Sequence, residues 1–217
     1  MNIIIKIPCR GRPEKFKETI LEYQNKLSHK HNVNFIFSFD NDDPLMNSDD
    51  IKQFLSQFNN VTYFYGNNKN KIEAINANME GISCDIVIQG SDDMIPLYHD
   101  YDDIICRDMI QYFPNLDGSL HYYNPMWEER LDVNYVVGFN FYKQFNYIYH
   151  PSYKSIYCDN EFTEVKNYLN KNHYFADGKS MFLHTFITND ATADKNNQFN
   201  NEDYQNYQDR KNKNFDL

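Results

Sequence analysis

Over its first ninety residues the chain alternates short apolar runs with amphipathic stretches, and nothing else in it constrains the fold as strongly. Residues 2–8, NIIIKIP, read as a buried strand rich in Ile. Arg10 to Arg12 turn around Gly11, and Pro13 suits the first turn of a helix running to about Lys30, with Phe16, Ile20, Leu21 and Leu27 on one face. Residues 33–40, VNFIFSFD, are a second strand; 49–58 a short helix with Ile51, Phe54, Leu55 and Phe58 at helical spacing; 61–65, VTYFY, a third strand. A helix over 71–81 stops at Gly81, and 85–89, DIVIQ, is a fourth strand. Strands that alternate with helices pair in parallel through right-handed crossovers, which predicts a Rossmann-like α/β sheet.

In such sheets ligands bind beyond the carboxyl ends of the strands. Polar clusters follow each strand here: Arg10 and Arg12, Asp40 to Asp43, Gly66-Asn67, and Asp92-Asp93. All are expected on one edge. Adjacent carboxylates repel unless a cation or donor lies between them, so Asp92 and Asp93 suit a divalent metal that bridges to phosphates. The plainer alternative is a solvated loop that caps the next helix. A carboxylate in DNDDP can accept from a ribose or a base edge, or make an Asx turn before Pro44. Arg10, Arg12 and Lys71 supply cations suited to phosphate, though each alone reads more readily as a surface charge.

The second half lacks that rhythm. Residues 99–113 read as a helix, 118–153 as an aromatic, strand-like stretch with no clear helix, 159–171 as a helix and 179–187 as a strand. The tail from Asp190 is polar and rich in Asn, either a surface helix or disordered. Asp159 and Glu161 at the helix start are candidates for a general base, or ordinary N-terminal charge on a helix. His184, inside MFLHTF, reads as a hydrogen-bonded core residue or a ligand. Trp127, Tyr122, Tyr123 and Tyr147 are rings suited to stacking on sugars, although most rings of that stretch should be core. No internal repeat or Gly/Pro-rich linker divides the chain. We expect one domain over 1–190, with 191–217 as a tail packed on or extending from it.

Composition narrows the partners. A net charge of -10 and a pI near 5.1 disfavour direct binding to nucleic acid, which needs a basic footprint. Cys9, Cys84, Cys106 and Cys158 are widely spaced, without a CxxC pair, and read as buried free thiols. The N-terminus does not read as a signal peptide and no stretch has the apolar length of a membrane span, so a cytoplasmic protein is expected. Heavy use of Asn, Tyr, Ile and Lys hints at an AT-rich, viral genome, in which case the location would be the host cytoplasm.

The ordered set IPCRGRP, DNDDP, NNKNKIEAINANM, DIVIQGSDDMIP, CDNEF and a late histidine resembles the GT-A fold nucleotide-sugar glycosyltransferases of the broad family-two type. The resemblance spans nearly the whole chain. The tail, with Asp203, Tyr207, Arg210 and Phe215, is similar to a closing segment of small viral or phage-like members. It implies a single-domain GT-A fold with a mostly parallel central sheet flanked by helices. It also implies transfer of a sugar, of hexose type, from a nucleoside-diphosphate donor, with UDP favoured, to a carbohydrate or other hydroxyl acceptor. Carried over residue by residue, Pro8, Arg10, Arg12, Asp40, Asp42, Lys71 and Asp92 would line the nucleotide. Asp92, Asp93 and His184 would hold Mn²⁺ or Mg²⁺, with Asp93 favoured as the direct ligand and Asp92 toward the ribose. Asp159, or second Glu161, would be the catalytic base of an inverting displacement. The family's first metal-motif acid is replaced by Gly90, leaving Gly-Ser-Asp-Asp. A sugar-phosphate nucleotidyltransferase is the second reading, although it should carry a Gly-rich basic loop where CRGRPEKF has one Gly. A non-catalytic carbohydrate- or nucleotide-binding module is the third.

Overall fold

The computed structural model describes residues 1–185 and 197–217. Its first half is the predicted alternation: β1 (Asn2–Pro8), α1 (Pro13–Asn25), β2 (Asn32–Asp40), α2 (Asp49–Leu55), β3 (Val61–Gly66), α3 (Lys71–Asn76) and β4 (Ile86–Gln89). Then follow β5 (Met94–Pro96), α4 (Tyr101–Tyr112), β6 (Ser119–His121), β7 (Val136–Gly138), α5 (Phe139–Phe145), α6 (Cys158–Tyr168), β8 (Asn172–Tyr174), β9 (Phe182–His184) and α7 (Asn200–Asn212).

The seven-stranded sheet has the order β3-β2-β1-β4-β7-β6-β8. β1 pairs in parallel with β2 and β4, β2 with β3, and β6 with β8, while β7 is antiparallel to both its neighbours. β7 alone therefore opposes the common direction. β5 and β9 form a separate antiparallel ribbon. Alternation along the strands sends Ile3, Ile5, Ile7, Phe35, Phe37 and Phe39 to one face, beneath Phe16, Ile20 and Tyr23 of α1 and Ile105 and Met109 of α4. Ile4, Ile36, Val87 and Val137 face the other way, onto Ile72 and Ile75 of α3, Phe141 of α5 and Phe162 of α6. Helices thus cover both faces, as a largely parallel sheet requires. All four cysteines are free and buried.

Several boundaries differ from the sequence reading. α1 ends at Asn25, not near Lys30, because Ser28 turns away to donate from its N–H (2.8 Å) and hydroxyl (2.6 Å) to buried Asp102 of α4. α3 ends at Asn76, whose side chain binds the backbone of Ile148 and Tyr149, and the chain leaves through a left-handed Asn78 rather than at Gly81. The stretch read as free of helix contains α5. Its start at Gly138 brings the backbone so close to Leu116 that a Cβ would lie 2.2 Å from the Leu116 carbonyl oxygen. The strand expected over 179–187 narrows to β9, and its last two residues and the start of the tail lie outside the described residues. The later tail is the helix α7.

Candidate active site

The loops after β1, β2, β3 and β4 meet at the carboxyl edge of the sheet. Gly11, left-handed at φ 72°, turns the first loop so that its N–H donates to Asp43 at 2.7 Å. The other Asp43 oxygen accepts from the N–H groups of Leu45 and Met46, so Asp43 shapes the acidic loop from within. Arg10 grips Asp42 with two nitrogens, at 2.6 and 2.8 Å, and reaches Asp40 at 2.7 Å. Both carboxylates hold the guanidinium well above its ordinary pKa. Asn68, after β3, donates to the other Asp40 oxygen at 2.9 Å. Pro8 ends β1 opposite Ser38 of β2, level with this cluster. These contacts bring Pro8, Arg10, Asp40 and Asp42 to one rim.

Asp92 and Asp93 follow β4 but face different partners. Asp92 is buried, accepts from the Cys9 thiol at 3.1 Å and pairs with Arg12 at 3.1 Å. Its backbone carbonyl accepts from Thr19 of α1 at 2.8 Å. Burial raises the Asp92 carboxyl above its usual range, against the pull of Arg12. Asp93, half-buried, accepts from the Ser91 hydroxyl. Its carbonyl accepts from the N–H (2.7 Å) and hydroxyl (3.1 Å) of Thr185, which joins it to the end of β9. His184 sits there, its backbone paired with Met94. Burial lowers the His184 imidazole below its ordinary pKa, with Asp93 opposing that shift and Lys71 adding to it. The lowered pKa favours the neutral imidazole, the form in which a histidine ligates a metal.

Gly90 explains the missing first acid. A Cβ there would lie 3.0 Å from Cγ1 of Ile7 and 3.1 Å from the Tyr23 hydroxyl. A side chain at this position would be tight, and Ile7 and Tyr23 would have to give by a few tenths of an ångström.

The expected metal ligands are not gathered as the resemblance implied. Among the described residues no group of three or more His, Cys, Asp or Glu side chains could hold a metal ion. The reason is the direction of Asp92, whose two oxygens take Cys9 and Arg12. What fits a cation is the smaller donor set of Asp93 and His184. Mg²⁺ is commonly held by one or two protein groups with phosphates and water completing the shell, so this set suits a cation delivered with a diphosphate.

Asp159 and Glu161 lie in the first turn of α6 and have separated roles. Glu161 is buried and takes two nitrogens of Arg210, at 2.6 and 2.9 Å, and the Tyr153 hydroxyl at 2.8 Å. Acting as a base would break that triad, so Glu161 is committed to holding α7. Asp159 is different. Burial raises its carboxyl above the usual range, and the ammonium of Lys71, at the start of α3, opposes the shift. Lys71 bears electrostatically on both Asp159 and His184, and the Ile72 N–H donates to the Lys154 carbonyl at 3.3 Å, which ties the start of α3 to the segment leading into α6. A carboxylate with a raised pKa is a stronger base than an exposed one.

Among the rings proposed to meet sugars, Tyr122 is excluded. It is buried, donates to Asp108 at 2.8 Å and stacks on Phe175 at 4.7 Å. Trp127, Tyr123 and Tyr147 are half-buried. Sequence reasoning missed Cys9, Thr19, Asn68 and Thr185, which touch the site acids. None carries a local signal, since each is defined by a partner far along the chain.

No protein-family model matches the chain, and no curated protein matches it in sequence. Solved structures do share its shape. The crystal structure of S. aureus TarS 1-349 matches with a TM-score of 0.64 at 12% identity, over 85% of this chain and 60% of that one. The same TarS segment in complex with UDP-GlcNAc gives 0.65 at 14% identity, over 89% and 61%. The mannosyltransferase PcManGT from Pyrobaculum calidifontis, in complex with GDP-Man and Mn2+, gives 0.62 at 8% identity, over 80% and 53%. The chain therefore spans little more than half of the length of these solved chains. No described helix is long and apolar enough to cross a membrane. At such identities the likeness extends to architecture: the α/β chain, with its mostly parallel seven-stranded sheet between helices, has the GT-A fold of these glycosyltransferases.

Proposed function

We propose that the protein is a glycosyltransferase that moves a sugar, of hexose type, from a nucleoside-diphosphate sugar to an acceptor hydroxyl with inversion. The observation that supports this is Asp159, a half-buried carboxylate whose pKa is raised by desolvation and opposed by the Lys71 charge, at the start of a helix whose preceding segment is hydrogen-bonded to the start of α3. UDP is the favoured nucleoside diphosphate, a preference supported by the UDP-GlcNAc bound to one structural neighbour.

In this reading Asp40 and Asp42, steadied by Arg10 and Asn68, take the nucleoside at the rim beside Pro8. Asp92, whose oxygens take Cys9 and Arg12, would bear on the donor through Arg12, and Arg12 and Lys71 supply positive charge toward the phosphates. Asp93 and His184 would hold Mn²⁺ or Mg²⁺, which when bound supplies charge neutralisation to the diphosphate. The GDP-Man and Mn2+ bound to PcManGT support that use of a cation. Asp159 takes the proton from the acceptor hydroxyl as its oxygen bonds to the anomeric carbon. The bond from that carbon to the diphosphate oxygen breaks, and the nucleoside diphosphate leaves on the opposite face. One displacement inverts the anomeric centre. The acceptor is a carbohydrate or another hydroxyl compound.

The test is product analysis with a panel of nucleotide sugars, with and without Mn²⁺. Sugar transfer with release of nucleoside diphosphate is expected. Release of pyrophosphate would replace this reading with a nucleotidyltransferase, and binding without turnover would replace it with a binding module.

A further inference from the structure

The polar helix α7 reaches the segment just before α6 through a buried side chain, Asp203. Asp203 is 1% exposed and lies far along the chain from Asp159. One of its oxygens accepts from the N–H of Lys154 at 2.9 Å, and the other from Ser155 at 2.8 Å and Ile156 at 2.9 Å. Three consecutive N–H groups converging on one carboxylate form a backbone nest closed by an internal anion. Loss of that anion would leave three N–H groups without their acceptor, that of Ser155 buried and the other two half-buried.

The nest lies between the two parts of the site that must face each other. On one side the Lys154 carbonyl accepts from the N–H of Ile72 at 3.3 Å, directly after Lys71 at the start of α3. On the other, the chain leaves Ile156 through Tyr157, left-handed at φ 62°, and enters α6 at Cys158 and Asp159. The Tyr157 ring stacks on Tyr207 of α7 at 5.8 Å. One turn into α6, Glu161 is clamped by Arg210, also of α7. The stretch from Lys154 to Glu161 is thus held from α7 at both ends.

We infer that Asp203 is a positioning residue for the transfer reaction: by closing the 154–156 nest it sets where Asp159 stands relative to Lys71. This inference rests on the reading given under Proposed function. Asp203 touches neither donor nor acceptor in that reading, so it should govern the chemical step rather than nucleotide affinity. A displacement of about 1 Å in a reacting group is enough to slow a reaction on the order of a hundredfold.

The experiment compares the full chain with Asp203→Asn, which removes the charge while keeping the shape. If that variant does not fold, Asp203→Glu takes its place, with the same readings. Three measurements are made: UDP affinity by calorimetry, kcat and KM for transfer, and amide hydrogen exchange. UDP affinity should stay within about twofold, and kcat should fall roughly tenfold or more with KM little changed. Exchange should quicken in the first turns of α6 and α3. If Asp203 merely anchors α7, kcat and those two turns stay as in the wild type and only α7 exchanges faster, which overturns the inference. Should the wild type transfer no sugar at all, the transfer reading fails by itself. The exchange pattern then decides whether Asp203 fixes the starts of α6 and α3.

Discussion

Replacing Lys6 by Met should make the protein more stable near neutral pH, although Lys6 sits at the centre of the sheet. The side chain is 0% exposed on β1, beneath the α3 face, and its ammonium donates to the Ser38 hydroxyl. Burial lowers its pKa from 10.5 to about 7, while Glu80 pulls the other way. Between those two values the unfolded chain binds a proton that the folded protein has released. Stability therefore rises with pH across that window, and below it the buried charge carries its full penalty. A drop from 10.5 to about 7 corresponds to a penalty on the order of 4–5 kcal/mol at low pH. It remains about 4 kcal/mol at pH 7 and shrinks to about 2 kcal/mol at pH 9. Lys6→Met removes this penalty and loses one hydrogen bond worth about 1 kcal/mol. Ser38 keeps its bond to Asn78 at 3.2 Å. The variant should thus gain about 2–3 kcal/mol at pH 7 over wild type, with the advantage shrinking toward pH 9. Urea unfolding of both proteins at the two pH values reads this directly. A variant that is less stable at pH 7, or whose advantage does not change with pH, would refute the reasoning.

Gly90→Asp restores the acid that the motif lacks and should destabilise by about 1–3 kcal/mol, because its Cβ meets Ile7 at 3.0 Å; a melting temperature equal to wild type contradicts this. Arg210→Ala removes the ion partner of buried Glu161, leaving it only the Tyr153 hydroxyl, and should cost about 3–5 kcal/mol, checked by denaturant unfolding, whereas a loss below about 1 kcal/mol would mean that Glu161 finds water instead. Nucleotide affinity in the presence of Mn²⁺ should weaken as pH falls through the titration of His184. Its midpoint should lie below 6.5, because burial holds the imidazole neutral, and a flat calorimetric profile would remove His184 from the cation site.

The first half of the fold was legible because one periodicity governs each element. The Ile run of β1 and the Phe-rich β2 read as buried strands and are buried, and of the helix face read as Phe16, Ile20, Leu21 and Leu27, Phe16 and Ile20 are buried in α1 while Leu21 is exposed and Tyr23 takes the next core position. Once a parallel sheet follows, the loops after its strands must share an edge, so Arg10, Asp40, Asp42 and the Asp92-Asp93 pair were locatable before their contacts were seen. The second half depended on long-range contacts. FNFYKQF carries a polar stripe, with Asn140, Lys143 and Gln144 exposed at helical spacing, but seven residues inside a long aromatic stretch are too few for that period to stand out in the sequence. β5, β8 and β9 are three residues each and exist through their partners. The same limit applied at the site. Asp92 turns toward Cys9 and Arg12, not toward a shared metal with Asp93, and only the fold decides that. Asp159 and Glu161 look interchangeable in CDNEF until Arg210, from a helix near the end of the chain, claims one of them.

The account turns on Asp159 as the group that accepts the acceptor's proton. Asp159→Asn keeps the shape of the side chain and removes its basicity. Measured side by side, UDP affinity with Mn²⁺ should stay near wild type. The rate of sugar transfer at saturating donor and acceptor should fall roughly a hundredfold or more. Transfer at the wild-type rate in Asp159→Asn would contradict the account.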